Sequence, residues 1–153
     1  MLYFAYGSNL DPHQMDDRCP GHHVHARGFV RGYRLTFPRD CVSWAGGVAS
    51  IEPLEGCEVW GVLYDLTADH LETLDRYEGV AEGDYWRETI DVVLDGGRTV
   101  PAIVYIAAAD EGGPTPPSRQ YLEAIVRGAQ SHGLPSDYIA GLQKTPVNTP
   151  KPA

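Results

Sequence analysis

Residues 1–10 read MLYFAYGSNL, an apolar run that stops at Gly7-Ser8-Asn9. Met1 to Tyr6 has the pattern of a buried first strand. Tyr6-Gly7-Ser8-Asn9 then makes a turn, and Ser8, Asn9 or Asp11 caps a short helix near 12–18. A buried strand that breaks at Gly-Ser-Asn and enters a helix exposes successive backbone N–H groups. Such a turn attracts carboxylates and developing oxyanions. Its bland alternative is a plain strand-to-helix turn.

Outward from this segment the chain alternates strand and helix signals. Residues 22–38 are rich in β-formers, including Val24, Phe29, Val30, Tyr33, Leu35 and Phe37. Gly46-Gly47 precedes a short strand over 48–51, and Glu55-Gly56 reads as a turn. Residues 57–66 (CEVWGVLYDL) form a strand whose Gly61 marks a bulge or a close backbone approach. Thr67 opens a helix that runs to Glu78, with Leu71 and Leu74 on one face and Gly79 as its C′ glycine. Strands over 85–94 and 98–107 flank Asp95-Gly96-Gly97, a hairpin turn signal. Ser118 caps a helix to about 131, whose Leu122, Ile125, Val126 and Ala129 make an apolar stripe. Gly133 and Pro135 end it, and a short helix over 136–143 follows. Strand runs with late helices indicate an α+β fold, its mixed and mostly antiparallel sheet curling into a small β-barrel flanked by helices. The domain spans 1–143, and 144–153 is a loose Pro-rich tail.

At 153 residues with a formal charge of −9, one compact domain is expected, and a basic nucleic-acid or membrane footprint is absent. The start carries no basic, apolar leader pattern, and no run approaches the roughly 18 apolar residues of a membrane span. Three cysteines, Cys19, Cys41 and Cys57, show no paired spacing, so a reducing cytoplasmic compartment fits. Cys19 with His22, His23 and His25 matches no standard zinc spacing, so no metal is assigned. Only Lys144 and Lys151 are lysines, so over the first 143 residues every fixed positive side chain is an arginine.

A second segment with chemical content is LDRYEGV, residues 74–80. It puts Glu78 at a helix C-terminus, where the dipole disfavours a carboxylate. Burial among Val80, Tyr77 and Trp86 raises its pKa into the range of a proton shuttle. Exposure leaves it a solvated surface glutamate. Asp75 is the competing acid, or it faces solvent. Tyr6, Tyr77, Tyr85, Tyr105 and Tyr121 are read mostly as core tyrosines with satisfied hydroxyls.

Together these segments resemble the gamma-glutamylcyclotransferase family. YFAYGSNL matches its N-terminal signature, and LDRYEGV its catalytic-glutamate segment. Residues 43–50 (SWAGGVAS), 58–64 (EVWGVLY), 116–121 (PPSRQY) and 133–135 (GLP) line up in order, so the resemblance covers roughly 2–143. It implies a small mixed barrel with flanking helices. It also implies conversion of L-γ-glutamyl amino acids to 5-oxoproline and a free amino acid. In that reading Glu78 is the general acid/base. Tyr3, Phe4, Ala5, Tyr6, Gly7, Ser8 and Asn9 bind substrate, and Tyr85, Tyr105 and Tyr121 line the pocket. No metal or organic cofactor is implied, the partner is a small γ-glutamyl substrate, and a homodimer is compatible. A γ-glutamylamine cyclotransferase, a pathway-specific γ-glutamyl deprotecting enzyme, and a non-catalytic small-molecule-binding domain are the alternatives. Asn9-Leu10 departs from the glutathione-specific branch, which disfavours glutathione. Arg76, beside Glu78, is the first arginine expected to meet a charged substrate.

Overall fold

The computed structural model describes residues 1–148. Strand β1 (Leu2–Ala5) leads through a 3-10 turn (Ser8–Leu10) to helix α1 (Pro12–Arg18). Two long strands follow, β2 (His23–Cys41) and β3 (Gly46–Asp65), then helix α2 (Ala68–Tyr77). The hairpin of β4 (Tyr85–Leu94) and β5 (Thr99–Ala107) precedes α3 (Arg119–Ser131) and α4 (Ser136–Gln143). The strands close into a barrel in the order β1-β3-β2-β4-β5. Closure is made by the parallel pairing of β1 with β5 at Tyr3 and Ile103, while the other pairings are antiparallel. Closing the sheet removes the exposed edges that a short open sheet would carry. The mixed, mostly antiparallel barrel with flanking helices is therefore the observed fold.

The barrel interior is filled by Phe4, Val30, Val59, Leu63 and Val92, all fully buried. Gly61 is needed where β3 crosses β1, because a Cβ there would stand 2.2 Å from the Ala5 carbonyl oxygen. Outside, α2 buries Leu71 and Leu74, and α3 buries Tyr121, Leu122, Ile125 and Ala129. Each such side chain contributes roughly 1.5–3 kcal/mol relative to exposure. Thr67 caps α2 and Ser118 caps α3 through hydroxyls that accept from the His70 and Tyr121 N–H groups. Among the three capping candidates for α1, Asp11 is the residue that accepts, from His13 N–H.

Two expectations are corrected. Glu55-Gly56 is not a turn between two strands, because β3 is continuous through it. Between the pairs Arg31–Glu58 and Tyr33–Pro53, β2 has Gly32 alone (φ 80°) while β3 has residues 54–57, including Gly56 (φ 86°). Extra residues on one strand bend the pair locally, and a glycine at positive φ takes up the bend without steric cost. The tail is not loose where it is described. Asn148 N–H donates to Pro117 O at 2.7 Å, and its side chain to Ala45 O at 3.3 Å. The rest of the expected tail, 149–153, lies outside the described residues. Near Cys19, His23 and His25 are exposed, while His22 binds Cys19 O at 2.9 Å and packs edge-on against Tyr64.

Candidate active site

The turn at residues 7–10 is held from four directions. Tyr64 of β3 donates to Asn9 O at 2.8 Å, and His132 after α3 lies 3.1 Å from Leu10 O. Gln14 of α1 donates to Ser8 Oγ at 2.7 Å and to Asn9 Oδ1 at 2.8 Å. Helix α3 presents Gly128, where a Cβ would stand 2.3 Å from the Leu10 carbonyl carbon. Arg127 of the same helix binds Asp11, the α1 cap, at 2.9 Å. The turn closes with Leu10 N–H to Gly7 O and Asp11 N–H to Ser8 O, both at 3.0 Å. The N–H groups of Ser8 and Asn9, first in the 3-10 turn, therefore have no acceptor within it.

Glu78 is placed by the end of α2. Gly79 N–H bonds Arg76 O at 3.2 Å and Val80 N–H bonds Asp75 O at 3.0 Å, the paired bonds of a Schellman cap with Glu78 as the last capping residue. Gly79 has φ 66°, and a Cβ there would stand 2.5 Å from Asp84 Oδ2. The Glu78 carboxylate then lies 3.4 Å from the Asn9 amide nitrogen and 3.9 Å from Arg18 Nη1. Its side chain is 17% exposed. Burial raises its pKa to about 7, while Arg18 and the Asn9 hydrogen bond hold the rise back. A carboxyl poised there can take and return a proton near neutral pH.

Asn9 is the hub of this arrangement. Its amide N–H₂ donates to Tyr3 Oη at 2.9 Å as well as to Glu78, and its carbonyl accepts from Gln14 and Arg18. Around it lies a cavity of about 730 Å³, lined by the turn, Glu78 and the tyrosines Tyr3, Tyr6, Tyr85, Tyr105 and Tyr121. Tyr85 donates to Ala49 O and Tyr121 accepts from Ala49 N–H, both at 2.8 Å, so one residue pins two rings. Tyr6 donates to Tyr105 O. Burial first, and then the charge of Glu78, raises the pKa of Tyr3 and of Tyr6, so both hydroxyls stay neutral.

The structure thus brings together Tyr3, Tyr6, Gly7, Ser8, Asn9, Glu78, Tyr85, Tyr105 and Tyr121. Phe4 and Ala5 are not among the cavity-lining residues. Phe4 is fully buried in the barrel, its ring 2.8 Å from where a Gly61 Cβ would stand. Of Val80, Tyr77 and Trp86, the neighbours expected for Glu78, only Tyr77 lines the cavity with it, and Tyr77 and Trp86 are 57% and 43% exposed; the polar contacts of the carboxylate are Asn9 and Arg18. Asp75 is taken up structurally: it accepts two hydrogen bonds from Arg87 and one from Tyr105. Partial burial raises its pKa, but those bonds win and hold it below the usual carboxylate range. Arg76 is exposed and donates to Thr73 of its own helix, away from the cavity. The arginines that reach the cavity are Arg18 and Arg39. Both lie far from Glu78 in sequence, and only the closure of the barrel brings them to it. Among the described residues no three His, Cys, Asp or Glu side chains gather around a metal-sized space. Cys19 is buried and its thiol is pushed up to about 11 by desolvation.

Comparison with known proteins supplies an independent view. The model of the AIG2-like family matches residues 58–142. The human gamma-glutamylcyclotransferase is 34% identical over 151 residues, covering 96% of this chain and 79% of the human protein. A solved gamma-glutamyl cyclotransferase superposes with a TM-score of 0.93 at 31% identity, covering 100% of this chain and 92% of the other. A yeast gamma-glutamyl cyclotransferase specific to glutathione shares the fold at 14% identity, with a TM-score of 0.62 over 93% of both chains.

Proposed function

The chain belongs to the gamma-glutamylcyclotransferase family, and from that premise we propose that it converts L-γ-glutamyl amino acids to 5-oxoproline and a free amino acid, with Glu78 as the single proton-transfer group. The observation that carries this reading is the placement of Glu78. A carboxyl raised to about 7 faces the cavity beside the Gly7-Ser8-Asn9 turn.

A γ-glutamyl amide contains its own nucleophile. The substrate reacts as its free α-amine, which attacks the γ-carbonyl carbon and forms the ring C–N bond. Glu78 accepts the proton released by the attacking nitrogen. The tetrahedral oxyanion is met by the N–H groups of the turn. When the amide C–N bond breaks, Glu78 returns its proton to the leaving nitrogen, so the carboxylate is regenerated. Attack is intramolecular, so selecting the folded conformer supplies much of the rate enhancement. The cavity walls of Tyr3, Tyr6 and Tyr121 restrict the glutamyl chain to that conformer. One C–N bond forms and one breaks, and the group asked of the protein's side chains is the proton carrier Glu78.

The test is a substrate panel: purified protein with γ-glutamyl-alanine, ε-(γ-glutamyl)-lysine and glutathione, reading 5-oxoproline. The reading expects γ-glutamyl-alanine to lead. Release of 5-oxoproline only from ε-(γ-glutamyl)-lysine would replace it with the amine-specific activity. No product from any substrate would leave a binding domain on the same scaffold.

A further inference from the structure

The structure assigns to Arg39 the recognition of the α-carboxylate on the leaving amino acid, which makes it the residue that separates γ-glutamyl amino acids from γ-glutamyl amines. This rests on the cyclotransferase reading above and goes beyond it by naming what the cavity wall at Arg39 binds.

Two guanidinium groups reach the cavity, and they are not equivalent. Arg18 is committed beside the acid. It donates to Asn9 Oδ1 at 3.0 Å, lies 3.9 Å from Glu78 Oε1 and covers the Tyr77 ring at 4.3 Å. Arg39 sits near the end of β2, in the segment that also brings Cys41 and Val42 to the cavity wall. Its Nη2 donates to Asp84 Oδ1 at 2.6 Å, and no other hydrogen bond to its guanidinium is found among the described residues. One edge of the fork is therefore anchored, and the remaining N–H groups stay available at a side chain 28% exposed. A guanidinium fixed on one side presents a planar, charge-assisted pair of donors to a carboxylate.

Asp84 is itself placed by the chain segment that places the acid. Asp84 N–H donates to Gly79 O at 3.0 Å, and Gly79 directly follows Glu78. The acid and the anchor of Arg39 are thus fixed relative to one another through a short loop. Asp40 and Asp84 also line this wall, and Arg39 is the cationic group there that can offset them for a bound carboxylate.

Alanine and ethylamine differ by the carboxylate alone, so γ-glutamyl-alanine and γ-glutamyl-ethylamide make the test pair. For wild type, kcat/KM for 5-oxoproline release is expected to be about tenfold or more higher with γ-glutamyl-alanine, as for a charge-assisted hydrogen bond. Arg39→Gln should lower that value about tenfold more for the alanine substrate than for the ethylamide, mainly through KM. Arg39→Lys should restore part of the preference. A wild-type ratio near one, a ratio kept by Arg39→Gln, or an equal fall on both substrates overturns the assignment. Wild type inactive on both substrates overturns the cyclotransferase reading itself, and this inference with it.

Discussion

The guanidinium of Arg18 stands 3.9 Å from the carboxylate of Glu78, close enough to favour its charge and too far for a tight hydrogen-bonded pair. That intermediate spacing leaves the acid able to exist in both protonation states. Burial pushes Glu78 up to about 7, with Arg18 the larger of the two opposing influences. Removing the guanidinium should raise the carboxyl further. In Arg18→Gln, the acid limb of kcat/KM for 5-oxoproline release is expected to move to higher pH by roughly one unit. Arg18→Lys should move it back. A limb that stays in place shows that Arg18 does not act on Glu78.

The same burial has a signature in stability. The ordinary glutamate value is 4.5 and the folded value is about 7. The folded state therefore holds its proton more tightly than the unfolded state. Its contribution to stability is full below about 4.5 and is lost as pH rises through about 7. Glu78→Gln removes that dependence. Relative to wild type it should gain stability between those values, by up to about 3 kcal/mol above neutrality. Urea unfolding at pH 4.5 and pH 8 measures the difference; equal gains at both pH values contradict it.

How far the sequence carried depended on the range of the interactions. Helices α2 and α3, their Thr67 and Ser118 caps and the Gly79 and Gly133 ends were legible because caps and apolar stripes are local. The Asp95-Gly96-Gly97 hairpin was legible for the same reason, with φ 88° and 89° at its two glycines. Gly56 was misread as a turn because a positive-φ glycine looks alike in sequence whether a strand reverses or only kinks. That Gly32 of β2 lies at the same irregularity is found only once β2 and β3 are in register. Arginine was correctly expected to supply the cavity's fixed positive charge, but adjacency to Glu78 pointed to Arg76. On α2, Arg76 points to solvent, while Arg18 and Arg39 arrive from α1 and β2 by barrel closure.

Gly79 is expected to tolerate no side chain. Alanine there must hold φ 66° and would bring a Cβ to 2.5 Å from Asp84 Oδ2. Gly79→Ala should cost on the order of 1–3 kcal/mol of stability and lower kcat more than a distant destabilising change of equal size. Melting curves read alongside kinetics separate the two effects. Full activity in Gly79→Ala contradicts the view that this cap places Glu78.

Arg76 provides the contrasting case. It is exposed, and its side chain bonds only Thr73 among the described residues. Arg76→Ala should leave kcat/KM for γ-glutamyl-alanine within about twofold, since surface changes of this kind rarely exceed about 0.5 kcal/mol. A tenfold fall would return Arg76 to the site.

The central claim is that Glu78 moves the proton, and 5-oxoproline release from γ-glutamyl-alanine by wild type and Glu78→Gln measures it most directly. With both proteins shown to be folded by circular dichroism, the variant should lose about 10²- to 10⁴-fold in kcat. Near wild-type release by the folded Glu78→Gln variant would contradict the account.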